Sequence, residues 1–472
     1  MEPVRADLAV LGGGEAGIAA VVQASEMGAQ VVLVEKDPQL GGACVHTGTL
    51  PSKVFSISTG VYEMLAKLKN FGIKAEGGFK LDYQEVLASR ARITRCDQGV
   101  IGAHLRGPNV KVIRGEAVLR DARRLSVRTP EGGEVAIEAP RLVLAAGSRP
   151  FQVPGLPTDG KALLSTDDLV DMPELPARMV VIGAGVIGCE YAFIFRTFGV
   201  EIVLVEKMEH ALPGQDKDIV AVIEKEMKRR GVRFLPGTVV GGYELGPDGR
   251  PIVTTDKGER IESDKVLVCV GRSPATAGLE LEAAGVALGP KGQVLADDHL
   301  QTNIPGVYAA GDILGRWMLS ATGILEGAIA AENALGGDRV LDERFVPSGI
   351  YTQPEIGSVG LTEEAAAAAG FEPLIGTCTY SNLVKACATY SYMPGLIKMV
   401  FDRGTHRLLG AHAVGSEAAE LVHLLSMSLR LQATAEDFAW SIFHHPSLSE
   451  GFREAARDAL AKTKKPPSPP AA

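Results

Sequence analysis

The sequence predicts an α/β protein built on two copies of one strand–loop–helix–strand unit, followed by a C-terminal domain of mixed α+β type. Three observations carry this. A glycine-rich run recurs 171 residues after its first appearance, at Gly12 to Gly17 and again at Gly183 to Gly188. Each run follows an apolar strand and is followed by a second one, Val31-Val32-Leu33-Val34-Glu35-Lys36 and Ile202-Val203-Leu204-Val205-Glu206-Lys207. From about residue 346 the pattern changes to strands, such as Leu396 to Phe401 and Leu408 to Val414, followed by helices.

In chain order, residues 1–36 read as strand, helix, strand. Helices are expected over 51–69 and 84–105, and a strand over Arg141 to Pro150. Residues 151–177, rich in Pro and Asp, read as a linker into the second unit, which runs to Gly271-Arg272. Thr302 to Asp312 reads as a turn and a short strand with an acid at its end, and 319–335 as a helix rich in small residues. The expected division is 1–150 and 272–345 as two parts of one domain, 151–271 as a domain inserted between them, and 346–461 as the last domain. Residues 462–472 (KTKKPPSPPAA) read as a disordered tail.

Each glycine run has a mechanical reading. Gly12 and Gly183 permit a tight turn. Gly14 and Gly185 let the backbone approach a pyrophosphate, and Gly17 and Gly188 let the helix pack on its strand. The helix N-terminus then faces the phosphates. In both copies an acid, Glu35 or Glu206, lies 23 positions after the first glycine, where a carboxylate accepts from a ribose 2′-OH. Two such units in one chain imply two dinucleotides and electron transfer between them. Glu206 favours NAD(H), because a carboxylate repels the 2′-phosphate of NADP(H).

Composition excludes other classes. The net charge of −9, with no basic stripe, disfavours a nucleic-acid partner. No apolar run is long enough for a membrane span. The chain enters its first strand at Leu8 with no signal peptide before it, so the expected location is the cytoplasm. Six cysteines, at 44, 96, 189, 269, 378 and 387, form neither a disulfide framework nor a metal-ligand spacing.

After the first unit comes Gly41-Gly42-Ala43-Cys44-Val45-His46-Thr47-Gly48-Thr49-Leu50-Pro51-Ser52-Lys53. Here the chain resembles the FAD-dependent pyridine nucleotide–disulfide oxidoreductases. The resemblance extends through Ala146-Gly147-Ser148-Arg149-Pro150, Gly271-Arg272-Ser273-Pro274, Gly311-Asp312, Tyr351 to Glu355, Gly360 to Glu363 and His445-Pro446-Ser447-Leu448-Ser449-Glu450. It implies an FAD domain with an inserted NAD domain and a C-terminal dimerisation domain. It also implies a homodimer, in which His445 serves the flavin site of the other subunit. By the same resemblance the FAD contacts include Gly12, Gly14, Gly17, Glu35, Lys36, Gly42, Lys53, Gly147, Ser148, Gly311 and Asp312. Gly183, Gly185, Gly188, Glu206, Gly271 and Arg272 belong to the nicotinamide side. Lys53 is implied to pair with Glu190 near the flavin, and Glu450 to orient His445 as an acid–base.

One departure stands out. Disulfide reductases of this family carry Cys-x4-Cys, whereas here Cys44 is followed by Thr49. A threonine cannot form the internal disulfide. The Cys44 to Lys53 segment is similar to that of soluble pyridine nucleotide transhydrogenases, and Leu319-Ser320-Ala321-Thr322-Gly323 stands where lipoamide dehydrogenases usually carry an Ala-His-Lys-Ala stretch. His445 and Glu450 are the disulfide-reductase dyad, which transhydrogenases tend to lack. The expected function is FAD-dependent transfer of hydride between nicotinamide nucleotides, NAD(H) and possibly NADP(H). The alternatives are a quinone or dye reductase, a dihydrolipoamide dehydrogenase-like enzyme, and a non-catalytic redox sensor. Cys44 reads either as an inert thiol or as a catalytic one. His46 reads either as packing or as a proton donor, and Asp312 either as a helix cap or as a flavin contact. His412, His423 and His444 read as structural.

Overall fold

The computed structural model describes residues 2–390 and 394–463 in two compact units. One comprises Met1–Pro176 with Lys265–Asp342, the other Ala177–Asp264 with Glu343–Ala472. The expected tail lies, from residue 464 onward, outside the described residues.

The first unit is organised on a five-stranded parallel sheet in the order Val307–Ala309, Leu142–Leu144, Leu8–Leu11, Val31–Glu35, Val110–Arg114. The strands Leu8–Leu11 and Val31–Glu35 are buried along their whole length, which is why they read as unbroken apolar runs rather than alternating ones. Helix Glu15–Glu26 packs against helix Ser320–Ala334, and Gly327 sets their closeness. A Cβ there would stand 2.0 Å from the carbonyl oxygen of Ala16. A four-stranded sheet, in which strand Val4–Arg5 pairs in parallel with Glu134–Glu138 and the remaining pairings are antiparallel, completes this part.

Two expectations on local structure change. Arg141 to Pro150 is not one strand. Leu142–Leu144 belongs to the parallel sheet, Gly147 turns with φ +75°, and Ser148–Pro150 pairs antiparallel with Arg272–Pro274. Residues 151–177 are not wholly a linker, since Leu163–Ser165 forms a buried strand paired in parallel with Lys265–Val268. The helices lie close to where the pattern placed them, over Thr49–Leu65, Tyr83–His104 and Ser320–Ala334. The second of these is capped by Asp82, whose carboxylate accepts from the Gln84 N–H at 3.0 Å.

The second unit repeats the dinucleotide pattern in the parallel strands Arg178–Ile182, Glu201–Val205 and Arg233–Leu235, with helices Val186–Thr197 and Lys217–Arg229. Its other part is a five-stranded antiparallel sheet in the order Ser348–Ile350, Glu355–Gly360, Leu408–Gly415, Leu396–Asp402, Pro373–Thr379. Helices Ala418–Arg430, Ala435–Trp440 and Glu450–Ala461 cover it. Gly376 admits the last of these, since a Cβ there would lie 1.9 Å from the Ala455 carbonyl oxygen.

Candidate functional site

In the first unit the glycines behave as their spacing requires. Gly12 has φ +109°, and a Cβ on it would meet the Ala145 carbonyl oxygen at 2.2 Å. A Cβ on Gly17 would meet the Gly12 carbonyl oxygen at 1.8 Å, so strand and helix approach more closely than any side chain allows. Gly14 is the N-cap of helix Glu15–Glu26 and offers no side chain to the first turn. The nearest atom to a Cβ there is the Gly42 Cα at 3.9 Å. The loop is thus a glycine cradle at a helix N-terminus, which suits an anionic phosphate. Glu35 is buried, and its carboxylate accepts from the Gly13 N–H at 2.6 Å and from the Asp37 N–H at 2.8 Å. Lys36, next in the chain, is exposed.

A polar network lies where the parallel sheet meets the Ser148–Pro150 and Arg272–Pro274 pair. The Arg272 guanidinium donates to Ser148 Oγ at 2.8 Å, to the Ser148 carbonyl at 3.1 Å and to Asp167 Oδ1 at 2.9 Å. Ser148 Oγ in turn donates to Asp312 Oδ2 at 2.5 Å. Gly271 has φ +123°. Gly311 has φ +79° and donates its N–H to Glu326 at 2.6 Å. Glu326 is buried on helix Ser320–Ala334 and was not singled out in the sequence, because its partner lies on another element. The structure therefore brings Ser148, Arg272 and Asp312 together and adds Asp167 to them.

Cys44 sits in the short helix Gly42–His46, and Thr49 opens helix Thr49–Leu65. Thr49 Oγ1 lies 3.4 Å from Ser320 Oγ. Burial raises the Cys44 thiol above its ordinary range, and the charge of Glu15 pushes it the same way. The hydroxyl of Ser320, and to a smaller extent that of Thr49, oppose this. His46 donates Nε2 to the Leu40 carbonyl at 2.8 Å, which the Gln98 side chain also reaches. Lys53 donates to Ser52 Oγ at 3.3 Å.

The second unit repeats the cradle. Gly183 has φ +102°, and Gly185 caps helix Val186–Thr197 without a side chain or any neighbour within 4 Å of a Cβ. Gly188 is buried on that helix beside Glu190, whose carboxylate accepts from the Tyr351 N–H at 2.8 Å. Glu206 is buried and accepts from the Ala184 N–H at 2.7 Å and the Met208 N–H at 2.9 Å.

In the same unit His445 Nδ1 lies 2.9 Å and 3.1 Å from the two carboxylate oxygens of Glu450. Glu450 opens helix Glu450–Ala461 and also accepts from the Ser447 N–H at 3.0 Å. His445, the Ser447 N–H and Arg453 together hold its carboxyl below the ordinary range, with the His445 bond the largest effect. No group of His, Cys, Asp or Glu among the described residues has a metal-binding arrangement, and no described helix is long and apolar enough to cross a membrane.

Comparison with known proteins agrees with this geometry. Residues 6–327 match the model of the pyridine nucleotide-disulphide oxidoreductases, and residues 346–456 match the dimerisation domain of the same family. The dihydrolipoyl dehydrogenase of Thermus scotoductus is 35% identical over 460 residues, covering 97% of both chains. That of Chlorobaculum parvum is 34% identical over 459 residues, covering 96% of this chain and 97% of its own. The crystal structure of LpdA from Mycobacterium tuberculosis superposes with a TM-score of 0.87 at 29% identity, covering 96% of this chain and 99% of that one. Two glycine cradles, each with its acid, fit the FAD and NAD(H) that members of this family use. The chain belongs to the pyridine nucleotide–disulphide oxidoreductase family of flavoenzymes.

Proposed function

We propose that this enzyme is an FAD-dependent, NADH-preferring oxidoreductase that passes an electron pair to a small acceptor without a dithiol relay. The acceptor is in the first place a second nicotinamide nucleotide, which makes the enzyme a transhydrogenase. The observation that carries this reading is Thr49. It stands five positions after Cys44, with its hydroxyl 3.4 Å from that of Ser320, at the place where a relay needs a second sulfur. All six cysteines are free. The relatives named dihydrolipoyl dehydrogenase mark the competing reading, and the loss of one of two sulfurs argues against it.

The chemistry FAD supplies when bound is two-electron transfer between a dihydronicotinamide and an acceptor. The residues of the chain bind and orient. Gly12, Gly14, Gly17, Gly42 and Glu35 form the FAD cradle, with Lys36 beside it, and Gly147, Ser148, Gly311 and Asp312 continue it. Gly183, Gly185, Gly188 and Glu206 form the nicotinamide cradle, and the resemblance assigns Gly271 and Arg272 to the same cofactor. Lys53, paired with Glu190 as the resemblance implies, provides the cation that favours the reduced, anionic flavin. Glu206 weighs against NADP(H), so the acceptor nucleotide is of the NAD type before the NADP type.

A second reading, quinone reduction, is favoured by His445. Glu450 fixes Nδ1, which leaves Nε2 as the nitrogen that exchanges a proton, and the side chain is 64% exposed. The enzyme acts as a homodimer. Leu431, Trp440 and Ile442, all in the part matched to the dimerisation domain, are 76%, 82% and 99% exposed, and a second copy covers them. Free cysteines throughout accord with the cytoplasm.

An acceptor screen with NADH as donor tests the reading, using thio-NAD⁺, NADP⁺, quinones, lipoamide and glutathione disulfide. Turnover with thio-NAD⁺ and none with either disulfide is expected. Turnover fastest with lipoamide overturns it.

A further inference from the structure

In the second unit a row of polar side chains crosses three strands of the antiparallel sheet. Ser358 pairs with His412 and His412 with Lys398, so all three stand on one face. All are buried, and Lys398 is the only buried lysine among the described residues. His412 Nε2 donates to the Leu361 carbonyl at 3.1 Å. The other two reach the turn that opens helix Lys217–Arg229. Ser358 Oγ donates to Gln215 Oε1 at 2.8 Å, and Lys398 Nζ lies 2.9 Å from Asp216, the wholly buried N-cap of that helix. Asp218 and Glu363 complete the partners of Lys398, at 2.5 Å and 2.9 Å.

The same turn leads back to the glycine loop. The Leu212 N–H donates to the Ala184 carbonyl at 2.8 Å, and the Ala184 N–H donates to Glu206 at 2.7 Å. Ala184 is thus held through both of its backbone polar groups by one arc of chain. That arc is not relaxed. Leu212 has φ +50°, a left-handed conformation that a leucine keeps only where its surroundings impose it. The Gln215 N–H donates to the Leu212 carbonyl at 3.1 Å, so the strained residue lies within one turn of the Gln215 and Asp216 anchors.

We propose that Lys398, with Ser358, is a positioning residue for the nicotinamide nucleotide. From the sheet of the last domain the two side chains fix the 212–216 turn. The turn in its turn fixes the Ala184 peptide between Gly183 and Gly185, where the backbone receives the pyrophosphate. This role rests on the second glycine loop being the nicotinamide cradle proposed above.

The probe is ADP-ribose, which carries the ribose and pyrophosphate of the nucleotide but cannot reduce the flavin. It is titrated by calorimetry into the FAD-loaded enzyme. Lys398→Met should raise its Kd about tenfold, the effect of lowering the receptive loop conformation to about a tenth of the population. Ser358→Ala should raise it about threefold, whereas Ser358→Thr, which keeps the hydroxyl, should stay close to wild type. Ile397→Ala serves as the control for lost stability. Ile397 is buried on the opposite face of the same strand, against Gly451, and its truncation should lower Tm and leave the Kd unchanged. In stopped-flow reduction of Lys398→Met, the NADH concentration for half the limiting rate should rise, with the limiting rate within about twofold of wild type. Gly185→Asp sets a carboxylate in the path of the pyrophosphate and should abolish ADP-ribose binding. Unchanged binding in Gly185→Asp overturns the cradle and the positioning role with it. With binding lost there, an equal Kd in wild type, Lys398→Met and Ser358→Ala overturns the positioning role alone. A Kd that rises as much in Ile397→Ala as in Lys398→Met also overturns it. Should Lys398→Met fail to fold, Ser358→Ala against Ser358→Thr decides.

Discussion

The buried carboxylate of Glu206 accepts the backbone N–H of Ala184 at 2.7 Å, at the centre of the glycine loop it follows by a whole strand–helix–strand unit. Glu35 holds Gly13 at 2.6 Å in the same way. Each acid also takes an N–H two residues ahead, from Asp37 or from Met208. The two acids therefore shape their loops, and Glu206 has two N–H bonds to lose on substitution.

Glu206→Arg should invert the nucleotide preference by replacing repulsion of a 2′-phosphate with attraction. The ratio of kcat/KM for NADH over NADPH should fall at least tenfold, about 1.4 kcal/mol. Thermal stability should fall as well, because the Ala184 and Met208 N–H groups lose their acceptor, a cost of about 1–3 kcal/mol for each one left buried. Steady-state kinetics with both donors and a melting curve check this together.

Lys398 is wholly buried, with Nζ 2.9 Å from Asp216, 2.5 Å from Asp218 and 2.9 Å from Glu363. Burial pulls the ammonium down, but the three carboxylates outweigh it and hold the group above its ordinary range. Lys398→Met takes this cation from all three carboxylates, leaving Glu363 paired with Lys217 at 3.4 Å, and should cost about 3–5 kcal/mol, with a fall in Tm on the order of 10 °C. The pH dependence has a definite sign. A raised folded value gives stability that is complete below the unfolded lysine value, about 10.4, and is lost as pH rises through the folded one. Wild type should therefore lose stability above about pH 10 more steeply than Lys398→Met, in denaturant melts across that range.

Much of this architecture was legible in the sequence, for stated reasons. Gly12 and Gly183 were legible because only glycine adopts their φ without strain, and Gly17 because no Cβ fits. Glu35 and Glu206 were legible through a fixed spacing. Contacts made only on folding were not. Glu326 reaches Gly311 from the far side of a helix start, and Lys398 meets Asp218 across 180 positions. The strand Leu163–Ser165 is three residues long, too short for any period to show against its Pro-rich surroundings.

His445→Gln should leave reduction of the flavin by NADH unchanged within about twofold, while lowering quinone turnover about tenfold or more, the usual range for loss of a positioned acid–base. Stopped-flow reduction and steady-state quinone assays separate the two steps. An equal loss in both assigns His445 to folding or assembly instead.

Trp440→Asp combined with Ile442→Asp should shift the protein from dimer to monomer in sedimentation velocity, because both side chains stand exposed in the matched dimerisation domain. Acceptor turnover should fall with dimer content, since the proposed site takes His445 from the second copy. A fully active monomer contradicts this.

The central claim is that electrons leave the flavin without passing through a dithiol, and an anaerobic NADH titration followed by absorbance tests it most directly. About one equivalent of NADH should bleach the flavin completely, with no long-wavelength band from a thiolate stacked on the flavin, because Thr49 supplies no second sulfur. Uptake of about two equivalents, with a long-wavelength band after the first, would contradict the account and require a second redox-active sulfur beside Cys44.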